Sequence, residues 1–258
     1  MCHKYLTKDM RILLLTALSI SFSLNIFSQS WVDSGIKFGA GVTQLVNTNI
    51  WEEQTIVNKL TPGYSFGGKL GLNFNLNHQI TLDFIYTKAS QEFEFQPTET
   101  EKAWSKNIKY NSFNIPFLYK HNSDNGSFLE IGPQISFMTG VTETVNGKTT
   151  KVDDYFTKTH FEGVVGVGSF MLGSNNTYLV FGIRVHYAFQ DLLTTEGGKN
   201  TVSPYPINNG EMNYQAEPVS FNEYKPLNAI SAIAYLEINY DLAYLVRSNC
   251  KRTAIKFF

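Results

Sequence analysis

The stretch Gln79-Ile-Thr-Leu-Asp-Phe-Ile-Tyr-Thr87 decides the fold, because its side chains alternate in polarity. One face carries Ile80, Leu82, Phe84 and Tyr86, and the other carries Thr81, Asp83, Ile85 and Thr87. Successive side chains of a β-strand point to opposite faces, so a period of two predicts a strand and not a helix.

The same alternation recurs along the whole chain. It predicts eight strands, over 34–44, 64–76, 79–87, 109–121, 127–138, 160–172, 177–190 and 228–244. In the seventh of these, the apolar stripe from Leu179 to Phe189 is unbroken. Its length matches the roughly 9–11 residues that a tilted membrane-spanning strand needs.

The connections between these strands alternate in length. Three are short, at 77–78, 122–126 and 173–176, and four are long, at 45–63, 88–108, 139–159 and 191–227. Short turns on one rim and long loops on the other are typical of outer-membrane barrels. The sequence therefore predicts an all-β fold, an eight-stranded antiparallel transmembrane β-barrel with short periplasmic turns and long extracellular loops.

Composition supports this class and excludes others. Lys and Arg number 21 against 22 Asp and Glu, so no nucleic-acid-binding surface is indicated. Aromatic residues make up 14% of the chain. A chain with this composition is too apolar to be disordered. After the N-terminal segment no run approaches 18 consecutive apolar residues, which argues against membrane helices. A lipocalin also has eight strands, but its apolar side chains face inward and it needs no outward apolar belt.

The N-terminal end of the chain predicts export, and the C-terminal end predicts a short tail outside the barrel. A basic start followed by a short apolar run, Ile12 to Ile20, predicts a signal peptide over 1–28, with the barrel over 29–245. A short basic C-terminal tail, 246–258, follows the last strand. Removal of the signal leaves Cys250 as a single cysteine, so neither an intrachain disulfide nor a cysteine metal site is expected.

Charged side chains fall on the inward face of the predicted barrel. We expect them to form a lumenal charge network of Lys37, Lys69, Asp83, Glu130, Glu162, Arg184 and Glu237. Arg184 and Glu237 lie on neighbouring strands and are the expected cross-strand partners. An eight-stranded barrel is only wide enough for side chains to fill, so no pore is predicted.

Motifs for catalysis or cofactor binding are absent from the sequence, and no cofactor or metal is predicted. A membrane enzyme remains a minor alternative, with His160 near Asp153 and Asp154 and with Ser90 from a neighbouring hairpin.

The segment 141–152 alternates around Asn146-Gly147 and predicts a hairpin above the membrane.

Several segments resemble a known family. Residues 113–120 read Phe-Asn-Ile-Pro-Phe-Leu-Tyr-Lys, and residues 128–136 read Phe-Leu-Glu-Ile-Gly-Pro-Gln-Ile-Ser. With 161–168 and 183–187, they resemble the outer membrane protein β-barrel domain family of Bacteroidota, which includes PorT-like proteins. The resemblance implies an eight-stranded barrel in the outer membrane of a Gram-negative cell.

These observations predict a non-enzymatic outer-membrane protein, an anchor or component of an envelope or protein-secretion assembly. The alternative is a barrel whose extracellular loops bind a ligand or surface partner, in adhesion or small-molecule uptake. Expected partners are outer-membrane lipid, the barrel-assembly machinery during biogenesis, and envelope or secretion proteins, but no nucleic acid.

Overall fold

The computed structural model describes residues 30–52, 56–95, 104–145, 147–174, 176–199 and 223–244. Its elements are β1 (Trp31–Val46), α1 (Thr48–Glu52), β2 (Ile56–Lys59), β3 (Thr61–Asn73), β4 (His78–Phe95), β5 (Trp104–Asn122), β6 (Ser127–Val145), β7 (Lys148–Lys151), a 3₁₀ turn (Asp153–Tyr155), β8 (Thr159–Ser174), β9 (Thr177–Ala188) and β10 (Asn228–Tyr244). The predicted signal peptide and the predicted basic tail lie outside the described residues.

Eight of these strands close into a ring. The order β1-β3-β4-β5-β6-β8-β9-β10 returns to β1, and every neighbouring pair is antiparallel. The two remaining strands, β2 and β7, pair only with the outer ends of β4 and β6. The predicted all-β, eight-stranded antiparallel barrel is confirmed.

Register shows how strongly the strands tilt. The path of paired residues around the ring starts at Phe170 and passes through Val180, Glu237, Lys37, Gly67, Ile85, Asn114 and Ser136 to His160. It returns to β8 displaced by ten residues, from 170 to 160. At about 3.3 Å per residue and about 4.8 Å between strands, this offset corresponds to a tilt of about 40°, as in other closed barrels.

The barrel is apolar outside and polar inside. Large side chains exposed on its outer surface include Ile36, Phe38, Phe66, Leu70, Phe84, Phe117, Ile131, Val167, Phe181, Ile183, Leu236 and Ile238. Phe38 is 57% exposed, whereas the adjacent Lys37 is 4% exposed. A soluble barrel such as a lipocalin has the opposite pattern, so this outer surface suits hydrocarbon and not water.

Strands β4 and β5 extend far beyond the bounds predicted for them, 79–87 and 109–121. The region 88–108 was predicted as a long connection in which residues 92–95 extend the preceding strand; β4 continues to Phe95, and β5 begins at Trp104. Beyond the band of outward apolar residues, the inner face of this hairpin carries the buried apolar side chains Ala89, Phe93 and Ile108 beside the buried polar Gln91 and Lys106. The apolar side chains give the extension a core of its own, which explains why it stays a hairpin above the band.

The other long connections contain some of the predicted features. The hairpin predicted over 141–152 is confirmed, since Thr142 pairs with Lys151 and Val145 pairs with Lys148. Gly147, at its tip, has a φ of 85°, a conformation that glycine adopts without strain. The predicted loop 45–63 instead contains α1 and β2, and β3 begins at Thr61.

Candidate functional site

The middle of the lumen is filled by a row of ion pairs. Lys37 Nζ lies 2.6 Å from Asp83 Oδ2 and 2.8 Å from Glu237 Oε2. Lys69 Nζ lies 2.9 Å from Glu237 Oε1 and 3.2 Å from Asp33 Oδ1. All five side chains are at most 4% exposed, so each charge depends on its partners and not on water.

Arg184 extends this row on the other side. Its Nη1 lies 2.7 Å from Asp83 Oδ2, and its Nε and Nη2 donate to the two oxygens of Glu130 at 2.5 and 3.0 Å. A bidentate pair of this kind fixes both side chains in geometry. The order is therefore Asp33, Lys69, Glu237, Lys37, Asp83, Arg184, Glu130, with the sign of charge alternating at every step. We call these seven residues the charge row.

Aromatic side chains pack against the buried charges of the lumen. Tyr235 Oη donates to Glu130 Oε1 at 2.9 Å, and its ring lies 5.1 Å from Lys37 Nζ and 4.8 Å from Arg184 Cζ. A further buried lysine, Lys120, lies 3.7 Å from the centroid of the Phe128 ring. Cations over aromatic faces are attracted by the ring quadrupole, so the rings act as additional partners for buried charge.

The structure brings six of the seven sequence-predicted lumenal residues together in the charge row and leaves Glu162 apart. The expected pairing of Arg184 with Glu237 is wrong, because Arg184 is in register with Ile233 and Glu237 with Val180. The strand tilt is the reason, since it brings residues of distant register to one height. Arg184 consequently meets Glu130 and Asp83, while Glu237 meets the two lysines.

The sequence analysis did not identify three residues that the structure places in this site. Asp33, Lys120 and Tyr235 are all buried on the inner face. Lys120 and Tyr235 share strand parity with recognised inward residues, so alternation alone could have found them. Asp33 lies before the predicted start of the first strand, which β1 extends back to Trp31.

Glu162 is the centre of a second polar group, nearer the long-loop end. It accepts hydrogen bonds from Gln134 Nε2 at 3.0 Å, Ser136 Oγ at 2.7 Å and His160 Nε2 at 2.9 Å, and His186 Nδ1 lies 3.9 Å away. Gln134, His160, Glu162 and His186 line a cavity of about 40 Å³. That space suits a few water molecules and no larger ligand.

The residues of the enzyme alternative are not assembled into one site. His160 contacts Glu162, Asp153 contacts Val141 and Lys151, and Ser90 Oγ donates to the carbonyl of Pro62. Within the described ranges, no group of three or more His, Cys, Asp or Glu side chains could hold a metal ion. No helix of the described chain is long and apolar enough to cross a membrane.

Above the Glu162 cavity, the long-loop end contains an apolar core. We call it the outer cap: Leu45, Ile50, Ile56, Ala89, Phe93, Ile108, Tyr110, Val141, Val152, Phe156, Ala188, Leu192, Leu193 and Leu227. Polar side chains tie its loops together, since Asn47 Nδ2 donates to the carbonyl of Lys225 and Asn49 Nδ2 to that of Glu223, both at 2.7 Å. The outer cap closes the lumen where the strands leave the apolar band.

A carboxylate anchors the β6–β7 hairpin to the outer cap. Asp153 accepts the backbone N–H of Val141 at 2.5 Å and pairs with Lys151 Nζ at 2.7 Å. Burial works to raise the pKa of the Asp153 carboxyl, but these two contacts outweigh it and hold that pKa below its ordinary value. The same contact raises the pKa of Lys151.

Solved barrels are similar in fold to this chain at low identity. Neisserial surface protein A is 11% identical with a TM-score of 0.40, covering 80% of this chain and 96% of that one. For OprG from Pseudomonas aeruginosa the identity is 6% and the TM-score 0.41, with coverages of 84% and 97%. Ail of Yersinia pestis, solved with the heparin analogue sucrose octasulfate, is 10% identical with a TM-score of 0.36, covering 82% and 99%.

Sequence comparison identifies the family. No curated protein matches the chain. Residues 27–194, more than half of the chain, match the model of the outer membrane protein beta-barrel domain. The closed ring of strands with an apolar outer surface is a β-barrel, as this family name describes. The chain therefore belongs to the outer membrane protein beta-barrel domain family and resides in the outer membrane.

Proposed function

We propose that this protein is a non-enzymatic barrel that conducts nothing through its lumen and serves as an anchor or component of an envelope or protein-secretion assembly. The observation that carries the proposal is the filled interior. The charge row occupies the middle of the barrel, and the outer cap covers its long-loop end.

Opening this interior would be costly. A molecule crossing the barrel would have to separate Arg184 from Asp83 and Glu130, or Lys37 from Asp83 and Glu237. Leaving one buried charge without its partner costs about 3–5 kcal/mol. A rigid, filled barrel is suited to holding its loops and turns at fixed positions on the two membrane surfaces, which is what an anchor requires.

A second candidate is binding of a ligand or surface partner by the extracellular loops. The specific observation in its favour is two large apolar side chains at the long-loop end, Trp51 and Leu60, which are 60% and 63% exposed. Tryptophan is among the residues most enriched as anchors of protein interfaces, so Trp51 contributes most to this alternative. An enzymatic role has less support, because His160, Asp153 and Ser90 each contact a different set of neighbouring residues.

Site-specific photo-crosslinking in intact cells tests the assembly role. A crosslinking residue is placed at Lys148 in the β6–β7 hairpin, at Asp124 in a short turn, or at Phe117 on the lipid-facing surface as the matched control. We expect a reproducible adduct with one envelope protein from Lys148 or Asp124 and none from Phe117. Equal yields at all three positions, or adducts with lipid alone, would reject an assembly partner.

A further inference from the structure

Two histidines face each other across neighbouring strands at the short-turn end of the barrel. His78 begins β4, and its register partner on β5 is His121. The backbone N–H of Asn122 donates to the carbonyl of Asn77 at 2.7 Å, which makes His78 and His121 a non-hydrogen-bonded pair. Side chains of such a pair approach more closely than those of the alternate type, with Cα atoms about 4.5 Å apart.

The rings have the separation and freedom that two metal ligands need. Their centroids are 5.1 Å apart and their planes are inclined by 41°. Both side chains lie on the outer face, below the apolar band, where His121 is exposed and His78 is half-buried. An ion could therefore reach the pair from solution without entering the barrel.

Tyr119 orients one of the two rings. Its Oη lies 2.6 Å from His78 Nδ1, and the two rings stack with centroids 5.9 Å apart. When His78 Nδ1–H donates to this oxygen, the lone pair of Nε2 is left for a ligand. Metal-binding histidines usually have their second nitrogen fixed by such a hydrogen bond.

We propose that His78 and His121 bind a first-row transition-metal dication through two imidazole nitrogens, with Tyr119 as a positioning residue. Imidazole suits Zn²⁺, Ni²⁺ and Cu²⁺, and affinity should rise from Ni²⁺ to Cu²⁺. No described third His, Cys, Asp or Glu side chain completes a cluster there. The remaining coordination positions are filled by water, so the ion is exchangeable and open to a further ligand.

The other histidines do not compete for an added ion. The chain has five histidines, and His3 falls in the predicted signal peptide. His160 is 3% exposed, and His186 lies with it around the lumenal Glu162. Added metal in a tag-free preparation should therefore report mainly on the His78–His121 pair.

Cu²⁺ titration of the folded, tag-free protein in detergent tests the proposal, with electron paramagnetic resonance and calorimetry as readouts. We expect one site with splitting from two imidazole nitrogens. His121→Ala should leave at most one nitrogen and weaken binding more than Tyr119→Phe, which should cost about tenfold in affinity and keep the two-nitrogen spectrum. Asp124→Asn, which removes a carboxylate at the neighbouring turn, should change neither readout.

Either of two results would overturn the proposal. One is a parent spectrum with no two-nitrogen signature, which requires no variant to interpret. The other is Cu²⁺ binding by folded His78→Ala or His121→Ala as tight as that of the parent, which would mean adventitious binding elsewhere. Heat-modifiable migration on gels confirms that each variant is folded before its affinity is compared.

Discussion

The charge row and the outer cap close the same lumen with opposite chemistry. In the middle of the barrel, the inward side chains of β4 include Thr81 and Asp83, whereas further along the same strand they include Ala89 and Phe93, with the hydrogen-bonded Gln91 between them. The outward side chains change in the reverse direction, from Phe84 to Lys88. The polarity of both faces thus inverts along one strand.

The surroundings of the outer face explain the inversion. Where lipid surrounds the barrel, apolar side chains point outward and the interior is left to polar groups that must pair with one another. Where the strands extend beyond the lipid, water surrounds them and the apolar side chains lie on the inner face. One buried ion pair, Lys106 with Glu143, still lies in the extended part. The inversion marks the outer boundary of the membrane on the protein.

Removing Arg184 should have the largest effect on stability. Arg184→Ala leaves Glu130 without its bidentate partner and Asp83 without one of two cations, and we expect it to cost about 3–5 kcal/mol of unfolding free energy. The temperature of the heat-modifiable gel shift measures it. Lys151→Ala, at a side chain that is 76% exposed, is the control and should leave the midpoint nearly unchanged. Equal shifts for the two variants would refute a charge row that stabilises the barrel.

Truncating the outer cap should have a slightly smaller effect. Phe93 is fully buried, and Phe93→Ala should cost about 3 kcal/mol through lost burial and a residual cavity. Because the loss is apolar, the shift should not depend on salt. Leu60→Ala, at an exposed apolar position, is the matched control, and a comparable loss there would show that the outer cap is not a packed core.

A single methyl group tests how tightly the lumen is filled. A Cβ at Gly182 would lie 2.6 Å from the Tyr235 ring, which Glu130 and two cations hold in place. Gly182→Ala should therefore cost about 1–3 kcal/mol through overpacking. At Gly173, the nearest atom would be 3.6 Å away, so Gly173→Ala should be tolerated. A tolerated Gly182→Ala would indicate a looser interior.

The smallest expected effect is the titration of the Asp153 carboxyl, which anchors the β6–β7 hairpin to the outer cap. The pKa of Asp153 is lowered, so its contribution is complete above the ordinary value of 3.8 and is lost as the pH falls through the lowered pKa. The amide resonance of Val141, which donates to this carboxylate, should follow the loss with a midpoint below 3.8. Asp153→Asn should abolish the titration, and a midpoint at or above 3.8 in the parent would contradict the assignment.

Much of the fold could be predicted from the sequence, because alternation fixes both the strand and the face on which each side chain lies. Asp83 and Arg184 are buried and lie on the face that parity predicts for them. Their partners could not be assigned, since contact between Arg184 and Glu130 depends on the tilt and on the register through several strands. Similarly, the sequence places His78 and His121 beside the short turns 77–78 and 122–126, but their pairing depends on the register across a long connection.

The outer cap could not be predicted for a different reason. Ile50, Phe93, Phe156 and Leu193 come from separate connections, and short apolar segments in loops have no period that shows which of them meet. The stretch Glu92-Phe-Glu-Phe95 alternates in polarity, as expected for an extension of β4. The length of β5 could not be predicted in this way, because its outward residues there are polar and resemble a loop.

Electrical recording of the purified protein in a planar lipid bilayer tests the closed lumen most directly. With the charge row in the middle and the outer cap above it, the wild-type barrel should pass no steady current at any applied voltage that the bilayer tolerates. Stable, reproducible single-channel openings by the purified monomer would contradict a filled interior and would make transport the leading function.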